Sequence, residues 1–241
     1  MSRVSALLLF VMLSATVPLH GEEFPEWYTR LRDAVYSQDL SSRDISGLYN
    51  AARERALAEL SGAALSVMLS RCEYMMGRSF QYEENKEAAA ASYERGINYA
   101  QEALDRKASP EGWQMLAENI SQSCAVRSTA WAMANGLKVE QYAKNALNMD
   151  GGNTAAQHMI AARYVYAPAP FNNYRRGIQM MEAIAANFDD RLHKDDRFNV
   201  YSAIGYAFYQ QKKYGDAKAW FEKSLEVYPD NKFVGKLFAG L

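Results

Sequence analysis

Along nearly the whole chain, apolar residues recur at intervals of three and four, with Ala, Leu, Met, Glu, Lys, Gln and Arg filling the positions between them. These residue types lose little free energy in a helix, and almost no stretch alternates β-branched side chains as a half-buried strand would. The pattern predicts an all-α fold. Four sites break it into helical blocks: Ser109-Pro110, Asp150-Gly151-Gly152, Ala167-Pro168-Ala169-Pro170 and Tyr228-Pro229-Asp230. Further breaks are expected near Gln38 to Ser42, Gly77 to Glu84 and Phe188 to Asp196, none with the length or composition of an interdomain linker. The last apolar set, Phe233, Val234, Leu237, Phe238 and Leu241, has amphipathic-helix spacing and is expected to cap an open end or to meet another copy.

The blocks are weakly self-similar. Ala103-Leu104, Ala146-Leu147, Ala183-Ile184 and Ser224-Leu225 each place a small residue before a large one near a predicted helix end, at spacings of 43, 37 and 41 residues. Such spacing suits a helix-turn-helix unit that must stack on its neighbours to cover its apolar face. The segment from Phe198 to Asn231 is the clearest unit, with Tyr201, Ile204-Gly205, Phe208, Tyr214, Ala217, Phe221, Ser224 and Pro229 in order. It resembles the tetratricopeptide repeat, a pattern of roughly 34 residues. In that arrangement Gly205 and Ala217 let two antiparallel helices approach, Tyr201, Phe208 and Phe221 fill the surroundings, and Pro229 stops the second helix.

The resemblance implies stacked antiparallel helix pairs, a tetratricopeptide-like α-solenoid, here with extended helices and a C-terminal capping helix. Asn85 to Lys107 reads as one long helix, and Tyr166 to Gly177 (YAPAPFNNYRRG) as an insertion between the two helices of a unit. Together with YERG…YAQEAL and KVEQYAKNALNMD, these features resemble the TRAP-transporter-associated tetratricopeptide proteins called TatT, over roughly Leu48 to Leu241. Where those proteins carry a glycine-rich turn after the proline, this chain has Asn172-Asn173, residues able to adopt left-handed turns at some cost.

Composition narrows the function classes. Lys and Arg (27) nearly balance Asp and Glu (28), giving a net charge of −1 and no bulk attraction to nucleic acid or anionic lipid. The N-terminal stretch differs from the rest: Arg3 is followed by the apolar run from Ala6 to Leu13 and a small-residue, proline-containing stretch to Gly21. It reads as a signal peptide over residues 1–21, since a membrane-spanning helix needs roughly 20 apolar residues. An uncleaved interfacial anchor is the competing reading. No cysteine follows the run to accept a lipid, so residues 22–241 are expected as one helical-repeat domain in the periplasm or outside the cell. In that compartment Cys72 and Cys124 have two open fates, a disulfide or two buried thiols.

Candidate chemistry is sparse. Asp189-Asp190 and Asp195-Asp196 lie beside Arg191, Lys194 and Arg197 and read as a solvated turn; His158 reads as a structural histidine in an apolar helix. No phosphate loop, nucleophile elbow or metal-ligand spacing is present, so no catalytic residue, metal or cofactor is assigned. The methionines read as core gap-fillers, with an adaptable pocket as the alternative. Two candidate binding surfaces remain. Asn199, Ser202, Tyr206 and Tyr209 form one stripe on the first helix of the last unit, the side that faces the concave surface of such stacks. Tyr166, Phe171, Asn172, Asn173 and Tyr174 cluster in the insertion loop.

The expected function is therefore a non-enzymatic, exported interaction protein of the bacterial cell envelope. The TatT resemblance implies a periplasmic solute-binding protein of a TRAP-type transporter as partner, a pore or groove for a small organic ligand, and a homo-oligomer. The alternatives are an envelope-assembly adaptor that binds peptides or outer-membrane proteins, and an enzyme with a cryptic site.

Overall fold

The structure is a computed structural model and describes residues 24–188 and 192–241. The expected signal peptide, and the residues at 189–191, lie outside them. Among the described residues eleven helices follow in order: α1 (Glu26–Ser37), α2 (Ser42–Glu59), α3 (Gly62–Tyr82), α4 (Lys86–Arg106), α5 (Pro110–Val126), α6 (Thr129–Met149), α7 (Thr154–Tyr166), α8 (Tyr174–Phe188), α9 (Lys194–Gln210), α10 (Tyr214–Val227) and α11 (Lys232–Ala239). Short polar caps start most of them. Ser41, Asn85, Ser109, Ser128, Asn153 and Asn231 each accept a hydrogen bond from a backbone N–H in the first turn, supplying an acceptor to groups that have none within the helix.

The helices form stacked pairs, α3 with α4, α5 with α6, α7 with α8 and α9 with α10. This is an all-α repeat solenoid. Its first helices also touch in series, α3 to α5 to α7 to α9, and α1 touches both α3 and α9. The inner row of five helices thus closes on itself into a ring. The closure is well packed: Tyr28, Leu31, Val35 and Tyr36 of α1 are all at most 2% exposed.

The close approach expected at Gly205 is present, since a Cβ there would stand 2.5 Å from the Phe221 ring. The same arrangement recurs at Gly77, which lies directly under the Tyr93 ring. In both pairs the ring follows the glycine by the same interval and a small buried residue comes three positions later, Ser224 and Gly96. This equivalence shifts the repeat register: Gly96, not Ala103, corresponds to Ser224. In α8 it is Ile184 that is buried, whereas Ala183 is exposed.

The breaks match the sequence pattern in part. The break expected between Gly77 and Glu84 is present at the end of that stretch: α3 runs through Gly77, which serves the α3–α4 contact, and ends at Tyr82. The breaks at Leu60-Ser61 and Arg127-Ser128 carry no proline; the first is turned by Gly62, at φ +60°, and the second is capped by Ser128. Asn172 and Asn173 do not take the left-handed conformation, which among non-glycine described residues is confined to Gln38, Glu84 and Lys212. Asn173 instead starts α8, its side chain accepting from the Arg176 N–H at 3.1 Å while its own N–H donates to the Tyr164 carbonyl. Cys72 and Cys124 are both free thiols. No described helix is long and apolar enough to cross a membrane.

Candidate functional site: the central cavity

The ring surrounds a partly open cavity of about 2110 Å³, lined mainly by α1, α3, α5, α7, α9 and α11. Ordinary small-molecule pockets hold roughly 300–1,000 Å³. α3 contributes a polar and aromatic stripe, Arg71, Tyr74, Met75, Arg78 and Tyr82, whose spacing of three and four keeps it on one face. Gln114 and Glu118 enter from α5, His158 and Met159 from α7, and Asp195, Asp196, Phe198, Asn199 and Ser202 from α9.

The closing contact is polar as well as apolar. Arg32 of α1 meets Asp195 at 3.2 Å; Tyr228 donates to Asp33 at 2.8 Å, and Lys194 reaches the same carboxylate at 3.4 Å. Asn231 donates to the Tyr36 carbonyl at 2.7 Å, and Gln38 accepts from the Phe233 N–H at 3.1 Å. The Tyr36 ring packs on Tyr228 and Phe198, with centroids 5.3 and 5.6 Å away.

Burial dominates the cavity's electrostatics. It lowers the His158 imidazole to about 4, with Arg78 pushing the same way, so the ring is neutral near pH 7. Its Nε2 has no hydrogen-bond partner. Burial raises the Glu118 carboxyl, and the Arg71 charge only partly opposes it. Asp196 is raised by burial and by the neighbouring Asp195 charge. The Cys72 thiol, outside the cavity lining, is pushed up to about 12 by burial and by Glu73, which makes it a poor nucleophile.

The nine expected binding residues separate. Asn199, Ser202 and Tyr166 line the cavity. Asn199 is already engaged, donating to the Tyr36 hydroxyl at 2.8 Å, and Ser202 donates to the Asn199 carbonyl at 3.2 Å. Tyr206 packs against Tyr166, centroids 5.3 Å apart, and Tyr209 against Tyr214 at 5.9 Å. Phe171 is 67% exposed at the tip of the insertion, Asn172 is half-buried beside it, and Tyr174 packs into the α7–α9 core. Asn173 serves as the cap already described.

One reading changes. Asp195 and Asp196 are not in a solvated turn; they form the first turn of α9 and face the cavity, because Arg32 docks on Asp195 from the far end of the chain. His158 also faces the cavity. Sequence reasoning missed Arg71 and Arg78, although two arginines and two tyrosines at helical spacing in an otherwise apolar segment were a readable signal. Among the described residues no group of His, Cys, Asp or Glu is placed to hold a metal ion.

A family model described as a tetratricopeptide repeat matches residues 198–231. The chain carries a tetratricopeptide repeat. The match spans α9 and α10, the repeat unit with the Gly205–Phe221 contact. Its architecture is that of protein-interaction scaffolds. Among solved structures, the chain is similar to YrrB, described as a TPR protein with an unusual peptide-binding site. The identity is 11% and the TM-score 0.40, covering 89% of this chain and 98% of that one. No curated protein matches.

Proposed function

We propose that this chain is a non-enzymatic, exported interaction protein of the bacterial cell envelope that holds a small organic ligand in its ring. On this reading it works beside a periplasmic solute-binding protein of a TRAP-type transporter. The observation that carries the ligand part is the closure of the inner helix row around a cavity of about 2110 Å³ with charged and aromatic walls. An interaction scaffold of the tetratricopeptide type usually leaves its inner surface open to a partner; here α1 covers the α9 end of that surface. A partner protein is therefore directed to the outside of the ring, where Met133 (77% exposed), Leu137 (73%) and Phe171 offer apolar contact area. The likeness of the long α4, the α6 segment and the α7–α8 insertion to TatT proteins supports the transporter association.

Affinity capture from envelope extract, with the full chain as bait, tests the partner. Recovery of a solute-binding protein is the expected outcome. Recovery of outer-membrane assembly components without any solute-binding protein would reject this reading in favour of an assembly adaptor.

A further inference from the structure

Arg71 and Arg78 lie two turns apart on the cavity face of α3. Arg32, Arg53, Arg95, Arg127 and Arg163 each meet a carboxylate, but among the described residues neither Arg71 nor Arg78 does. Arg78 is fixed without being neutralised. Its Nε donates to the Tyr82 hydroxyl at 3.1 Å, one terminal nitrogen donates to Tyr74 at 3.1 Å and the other to Tyr82, and the Tyr36 ring lies 5.0 Å away. A guanidinium has five N–H donors, so two remain unused. Arg71 is 9% exposed, lies over the Phe24 ring at 4.7 Å and makes no hydrogen bond to any described residue.

Arg71 and Arg78 act on Glu118 at longer range, and Arg71 on Asp196, but these acidic side chains make their direct contacts elsewhere. Asp195 meets Arg32, Glu118 accepts from Gln114 at 2.9 Å and Asp196 from Thr154 at 3.4 Å. Burial also biases Glu118 and Asp196 toward their neutral forms, which leaves a cationic ligand no ready counter-charge. A sequestered cation with no carboxylate in direct contact is costly, and that cost falls when a negatively charged group arrives.

Taking the ring as a ligand chamber, as proposed above, we infer that its ligand is an organic anion whose carboxylate or phosphate sits between Arg71 and Arg78. Its apolar body lies against Phe24 and Tyr82, rings of the same lining that keep part of their surface open beside the two arginines.

Calorimetric titration of the full chain with phenylacetate, phenyl phosphate and the uncharged phenylacetamide tests this. At least one anion is expected to bind, with the amide weaker by about tenfold or more, and the stronger anion identifies the head group. Arg71→Gln and Arg78→Gln should each weaken the anion by about tenfold or more while leaving the amide and the far-ultraviolet circular dichroism unchanged. Equal binding of amide and anion, no binding of either anion, or wild-type affinity in both folded variants would overturn the inference. The comparison of amide with anion needs no variant, so it stands even if a substitution prevents folding. Partner capture is read separately: anion binding without a solute-binding protein rejects the transporter reading alone, and the converse rejects the anion alone.

Discussion

Glu73 is fully buried in α3, where it accepts from the Tyr49 hydroxyl at 2.6 Å, from Arg53 at 2.6 Å and from Arg95 at 3.0 and 2.8 Å. A carboxylate there offsets two guanidiniums, so Glu73→Gln should lower the unfolding free energy by about 3 kcal/mol, the low end for buried pairs because both arginines are partly exposed. Urea denaturation measures it, and a loss below about 1 kcal/mol would show the network to be dispensable. His158 carries a pH signature. With its folded pKa near 4 and an unfolded value of 6.5, the unfolded chain takes up the proton first. Stability attributable to this residue is therefore full above pH 6.5, falls between 6.5 and 4, and is lost below, by at most about 3 kcal/mol. Raised Glu118 and Asp196 act in the opposite sense, their contribution being lost as pH rises. The expected observation is that the difference in melting temperature between wild type and His158→Gln moves against wild type on acidification. None of these roles was legible in the sequence: Asp195 flanked by charged neighbours looks like a surface turn until Arg32 is seen to meet it.

Glycine at two helix positions gives opposite forecasts. In α2, nothing lies within 4 Å of a Cβ added at Gly47, so Gly47→Ala should stabilise by about 1 kcal/mol through helix propensity alone. In α9 the same change at Gly205 drives a methyl into the Phe221 ring and should cost about 1–3 kcal/mol despite the propensity gain. Thermal melts of the two variants should move in opposite directions. Helical periodicity made the elements themselves readable, and the Gly205–Phe221 contact was legible because spacing alone brings the two residues together. Boundaries such as Leu60-Ser61 and Arg127-Ser128 were not, because one left-handed glycine at the first and a serine cap at the second leave no proline to mark them. The expected stripe on α9 was half legible: Asn199 and Ser202 do face inward, but no helical wheel reveals that Tyr36 reaches the first of them.

An open solenoid was the natural reading of the repeats, since each unit announces only its neighbours. Closure depends on pairs such as Tyr36 and Asn231, far apart in sequence and joined by no local pattern. Asn231→Ala removes both that bond and the cap on α11, for an expected loss of about 2 kcal/mol. Hydrogen exchange should show the loss in α1 and α11 first, with α3 and α4 unchanged; uniform acceleration would mean the ring opens only with global unfolding. Closure also imposes an order of events during synthesis. α1 emerges first but cannot find its seat on α9 until more than 150 residues later, a delay on the order of ten seconds at 5–20 residues per second. For that interval the faces of Tyr28, Leu31, Val35 and Tyr36 that the ring later covers have no finished surface to pack on. Nascent chains truncated before α9 should therefore bind holdase chaperones through α1, and full-length chains should release them.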